Sequence, residues 1–138
     1  MRQLLVIAGL FCVGCGPSSP YDYVKVSGTV RYEDGTPIPT NGVRLQFSAQ
    51  DAPTVEGAHP RPAVANVDAD GKFDSVTSYK YGDGLIPGRH KVAIQQATGQ
   101  KDQLLVPKPY TSIATTPLVV NTVDAPFNIK VPKPKTAR

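Results

Sequence analysis

Tryptophan is missing from this chain, methionine occurs only at position 1, and the two cysteines, Cys12 and Cys15, both lie at the N-terminus. The rest of the chain therefore has no disulfide available, and its fold must be held by a core and backbone ladders alone. Histidine is almost as scarce. His59 and His90 are far apart, and no His-x-x-x-His spacing offers a zinc ligand pair. Glutamate stops at Glu56, so the Asp-x-Asp-Gly-x-x-Asp run of Asp68, Asp70 and Asp74 lacks the bidentate Glu that closes an EF-hand loop. Asp and Gly are also what a tight turn wants, and the turn is the expected role. No Gly-x-Ser-x-Gly nucleophile elbow occurs. Neither a metal nor any other cofactor is expected. The longest apolar run, Leu4 to Val13, is too short to cross a bilayer as a helix.

What the chain has in quantity is proline (14) and glycine (12), which punctuate short runs of Val, Ile, Thr and Tyr. That mixture predicts an all-β fold with many turns. The net charge is +4, but Lys25, Arg31, Arg44, Lys72, Lys80, Arg89 and Lys91 are scattered singly rather than clustered with aromatics. No nucleic-acid partner is expected from such a pattern. Cations gather only in the Pro-rich tail, residues 133–138, which reads as a solvated, extended end.

Period-two alternation marks the strands. It predicts them at 24–32, 43–48, 63–67, 72–76, 89–95, 118–120 and 127–131. Asp68-Ala69-Asp70-Gly71 joins the third and fourth as a tight hairpin, with Gly71 at the strained position. Residues 49–62 and 96–116 show no periodicity and read as long exposed connections, which in a small domain are functional or mobile. Residues 15–23 read as a Gly-, Ser- and Pro-rich tether. The domain is expected over 24–132.

At the N-terminus one basic residue, Arg2, precedes the apolar run, and small Gly14 precedes Cys15. This resembles the lipobox of bacterial lipoproteins, although Cys12 stands where a lipobox usually carries Leu. The resemblance implies that residues 1–14 are a signal peptide. Cys15 would be the lipidation site, bearing a diacylglycerol and fatty-acyl chains such as palmitate, and would become the first residue of the mature chain. Two or more acyl chains anchor stably. The expected location is the cell envelope, lipid-anchored to the outer membrane or the periplasmic face. An ordinary secretory signal cleaved near Cys15, or a buried N-terminal element, are the other readings of the segment.

A second resemblance runs from about Val24 to Val131. Val26-Ser27-Gly28-Thr29-Val30, then Asp34-Gly35-Thr36-Pro37-Ile38-Pro39, then Asn41-Gly42-Val43-Arg44-Leu45-Gln46-Phe47 look like the opening of carboxypeptidase regulatory-like domains. Asp68-Ala69-Asp70-Gly71-Lys72-Phe73 and Leu85-Ile86-Pro87-Gly88-Arg89-His90-Lys91-Val92 resemble two further landmarks of that family, as found in small lipoproteins of planctomycete-type bacteria. The likeness implies a prealbumin-like (transthyretin-like) Greek-key β-sandwich of about seven strands. It also implies a non-catalytic binding or scaffolding module. Hydroxyisourate hydrolases of the same fold carry a C-terminal Tyr-Arg-Gly-Ser signature, which this chain lacks.

The expected contact surface is the loop rim, with Tyr79, Tyr81, Tyr110 and His59 as binding residues for an envelope protein or polysaccharide. The alternatives are that Tyr110 packs under a loop, that the other tyrosines cap the sheet, and that both histidines are structural or solvated. Rival functions are an envelope hydrolase using His90 and a nearby acid, and a passive spacer. A Lys25–Asn128 isopeptide link is disfavoured because Lys25 alternates onto the solvent face.

Overall fold

The computed structural model describes residues 19–40, 42–99 and 103–135. The signal segment, Cys15 and the last three residues of the tail lie outside these. The described chain is all-β, with strands β1 Gly28–Tyr32, β2 Val43–Ala49, β3 Ala63–Val67, β4 Lys72–Phe73, β5 Arg89–Gln95, β6 Val119–Asn121 and β7 Phe127–Val131. Single 3-10 turns occupy Lys108–Thr111 and Thr122–Asp124.

The strands form two sheets, ordered β4-β1-β7 and β3-β2-β5-β6. Alternation explains how they meet. In β2 the apolar residues Val43, Leu45 and Phe47 are buried while Arg44, Gln46 and Ser48 are only half-covered. In β7 Phe127, Ile129 and Val131 are buried while Asn128 and Lys130 are exposed. Both sheets therefore turn one apolar face to a common core, a β-sandwich-like arrangement. Phe47 sits at its centre, with its ring centroid 6.2 Å from that of Phe73 and 6.4 Å from that of Phe127, each on the opposite sheet. Burying one such ring contributes about 1.5–3 kcal/mol.

β1 and β7 pair in parallel along their whole length, Gly28 opposite Phe127 through Tyr32 opposite Val131. The approach is tight at Gly28. A Cβ added there would lie 2.6 Å from the Phe127 carbonyl oxygen and 2.8 Å from the Phe73 ring.

Two expectations need correction. The expected 63–67/72–76 hairpin is not one. The Asp68–Gly71 turn forms, with the Asp68 amide donating to the Lys72 carbonyl at 2.9 Å and the Asp68 carboxylate accepting from the amides of Asp70 and Lys72. However, β3 pairs with β2, and β4 pairs with β1 in the other sheet. The turn is a corner between layers, and Phe73 is what it delivers to the core. The strand expected from residue 24 is also shorter. Its ladder starts at Gly28, and Val24 instead exchanges two backbone hydrogen bonds with Leu85, at 2.8 and 2.9 Å. Gly84, with φ +106, lets this segment pass: a Cβ there would sit 1.8 Å from the Val24 carbonyl oxygen.

Candidate functional site

Residues from two separate stretches meet beside the N-terminal segment. A groove of about 230 Å³ is lined by Ser19, Pro20, Tyr21, Tyr23, Ala58, His59, Arg61 and Tyr79. His59 and Tyr79, both expected binding residues, are thus brought together.

Each wall has a local cause. In the 49–62 connection, Glu56 and Gly57 take positive φ (50° and 77°), and the amides and carbonyls of Val55 and Ala58 bond reciprocally at 3.1 and 2.8 Å. Two successive left-handed residues give the tight reversal of a two-residue hairpin loop. At the start of the connection, Asp51 receives a forked pair of bonds from Arg89, Nε at 3.0 Å and Nη2 at 2.8 Å. The Arg89 guanidinium holds the Asp51 carboxyl below the usual carboxylate range. The stretch read from sequence as an exposed loop is therefore fixed at its start and at its middle, and His59 Nδ1 lies 3.2 Å from Thr54 Oγ1.

The opposite wall is ordered by Asp83. Its carboxylate accepts the amides of Ser78 at 2.8 Å, Tyr79 at 3.0 Å and Lys80 at 2.8 Å. Three backbone donors on one carboxylate fix the loop and hence the Tyr79 ring. Arg61 lies over that ring, 4.9 Å from its centroid. A cation above an exposed aromatic face is worth about 0.5–1 kcal/mol.

The N-terminal segment closes the groove. Tyr21 sends its single hydroxyl proton toward two carbonyls of the hairpin loop, Pro53 at 2.6 Å and Ala58 at 2.9 Å. Ser19 Oγ is hydrogen-bonded to the Tyr23 hydroxyl. From residue 19 onward the segment expected to be a tether is docked on the loops.

The other expected residues lie elsewhere. Tyr81 is 92% exposed and borders a different groove, between β3, β4 and the Thr77 stretch. Tyr110 is half-buried against the core cluster.

His90 is 3% exposed. Its Nε2 donates to the Ile86 carbonyl at 2.8 Å and its ring stands edge-on to Phe47. Nδ1 has no partner among the described residues. Burial lowers its affinity for a proton. Among the described residues no three His, Cys, Asp or Glu side chains converge on one point. The basic tail is not free at its start: Lys133 pairs with Asp34 at 2.7 Å and lies 5.4 Å from the Tyr32 ring centroid.

A larger cleft, of about 590 Å³, lies between Leu104–Lys108 and Pro132–Lys135. It is apolar-floored and rimmed by lysines, and it holds none of the expected binding residues. Sequence reasoning missed the docked segment because Tyr21 and Tyr23 sit among Ser and Pro, with no periodicity to mark them. The Val55-Glu56-Gly57-Ala58 reversal did carry a signal, a Glu-Gly pair between two apolar residues.

No protein-family model, curated protein or solved structure matches this chain.

Proposed function

We propose that this protein is a lipid-anchored module of the bacterial cell envelope that binds or scaffolds and does not catalyse. Its anchor is an acylated Cys15, and its fold is a seven-stranded Greek-key sandwich of the prealbumin-like, carboxypeptidase regulatory-like kind. The strand order supports the fold reading: the chain crosses from one sheet to the other at Asp68–Gly71, and β7 returns beside β1. The observation that carries the binding reading is the groove itself, where His59 and Tyr79 from two rigidified loops share one concavity. Loops braced on a sandwich are where such folds place recognition. Enclosure of His90 weighs against the hydrolase rival, since its reactive nitrogens face protein.

The test is intact mass and membrane fractionation of the full chain against Cys15→Ser in a bacterial host. The expected result is a lipid-sized mass increment and membrane association, both lost in Cys15→Ser. An unmodified or simply truncated wild-type mass overturns the anchor. Hydrolysis of a generic ester abolished by His90→Ala in a folded variant would overturn the non-catalytic reading.

A further inference from the structure

We propose that the groove at the foot of the N-terminal segment is a phospholipid-headgroup site, with Arg61 and His59 facing the lipid phosphate. The inference rests on Cys15 being acylated and concerns what the docked segment then does to the orientation of the domain.

The argument begins with reach. Tyr21 is bonded to the loop rim, Ser19 lines the groove and is bonded to Tyr23, and Val24 is tied to fully buried Leu85. Only four residue steps separate Cys15 from Ser19. Fully extended, such a stretch spans at most about 14 Å. That is about twice the polar layer of one leaflet, since the two layers together add about 10–15 Å to the hydrocarbon core. A freely mobile spacer from residue 15 to 23 would let the domain tumble. A docked one keeps a single face within that short reach of the bilayer, and that face carries the groove.

The chemistry of the lining agrees with this placement. Arg61 is exposed and takes part in no ion pair among the described residues; its guanidinium is held over Tyr79, leaving its N–H edge for an acceptor. A planar fork of donors suits a phosphate. Among the described residues no carboxylate lines the groove; Asp22 and Glu56 are exposed but outside it. Tyr21, Tyr23 and Tyr79 are half-buried, with rings that suit the boundary between acyl chains and water. Exposed His59 adds a donor beside the cation.

The experiment uses the full acylated chain, purified and placed in vesicles of phosphatidylethanolamine and phosphatidylglycerol or in micelles of a maltoside detergent. Maltoside accepts the acyl anchor and offers a sugar surface but no phosphate. Amide hydrogen exchange is followed in residues 53–61 and 77–83, with the Glu33–Gly35 turn beyond the far end of β1 as control. In phospholipid the groove loops are expected to exchange about fivefold more slowly than in maltoside, from about 1 kcal/mol per basic residue at an anionic surface. The control turn should not change. Arg61→Glu should abolish the difference and Arg61→Lys retain part of it, each variant first checked for an unchanged thermal melt in maltoside. Equal protection in both media overturns the phosphate assignment in favour of sugar or simple occlusion. No protection in either, on protein whose mass proves acylation, overturns the site while leaving the anchor standing. A chain that is never acylated removes the anchor first, and the site with it.

Discussion

Replacing Gly84 by alanine separates two costs that glycine substitutions usually mix. At φ +106 an alanine is strained whatever surrounds it, by about 1–3 kcal/mol. At this position it also collides. Its Cβ would lie 1.8 Å from the Val24 carbonyl oxygen, 2.4 Å from the Val24 carbonyl carbon and 2.9 Å from the Lys25 amide. None of these is the movable end of a flexible side chain, so the Val24–Leu85 contact must open. Its two backbone hydrogen bonds are worth about 1 kcal/mol each. The total is about 4 kcal/mol, or a melting temperature lower by about 15 °C for a domain of this size. Gly57 provides the comparison. It has φ +77 and nothing within 4 Å of an added Cβ, so Gly57→Ala carries strain alone, about 1 kcal/mol. Thermal unfolding followed by far-ultraviolet circular dichroism measures both. Gly84→Ala should also expose residues 19–26 to protease while the core persists. Losses that agree within 1 kcal/mol would refute the idea that the segment's passage past residue 84 is what demands glycine.

Two further outcomes test the core. Phe47→Ala removes the ring that joins the sheets and is expected to cost about 3–5 kcal/mol in urea unfolding, with a less steep loss for Phe47→Leu. A cost near 1 kcal/mol would mean that the sheets do not depend on this contact. His90 predicts an acid weakness. Burial lowers its folded-state pKa below the ordinary value near 6.5, while the unfolded chain protonates at that value. The unfolded state thus binds more protons as pH falls below about 6.5, and stability declines from there toward the folded pKa. Above that window the residue is neutral in both states. Urea midpoints between about pH 8 and pH 5 should fall on acidification, and His90→Leu should flatten that fall whatever it does to the neutral value. Identical pH slopes would show that the imidazole is not the group responsible.

The sheets were legible where alternation is strict. Val43-Leu45-Phe47, His90-Val92-Ile94 and Phe127-Ile129-Val131 were readable as inward rows, and all are buried. Pairing was not legible at Asp68–Gly71, because the same turn chemistry serves a hairpin and a corner. Which one forms is decided by Phe73 meeting Phe47, a contact remote in sequence. The site was half legible. His59 and Tyr79 stood out as polar or aromatic residues in turn-rich stretches, but nothing local says that Arg61 rests on Tyr79 or that Tyr21 folds back onto Pro53 and Ala58. Tyr110 shows the converse: an aromatic in a Pro-rich connection looks available until the core beneath it is seen.

The parallel pairing of β1 with β7 has a consequence for timing. The first strand of the domain has its full-length neighbour in the last, about a hundred residues away in sequence, and contacts so distant slow folding because the intervening chain must be closed before they form. Until Val131 is available, β1 has only the short β4 ladder, and Phe47 lacks its Phe127 neighbour. A chain still lacking its last strand therefore carries an unfinished sheet with an open backbone edge. The four-stranded sheet needs no β7, so it is the three-stranded sheet whose completion waits for the final strand.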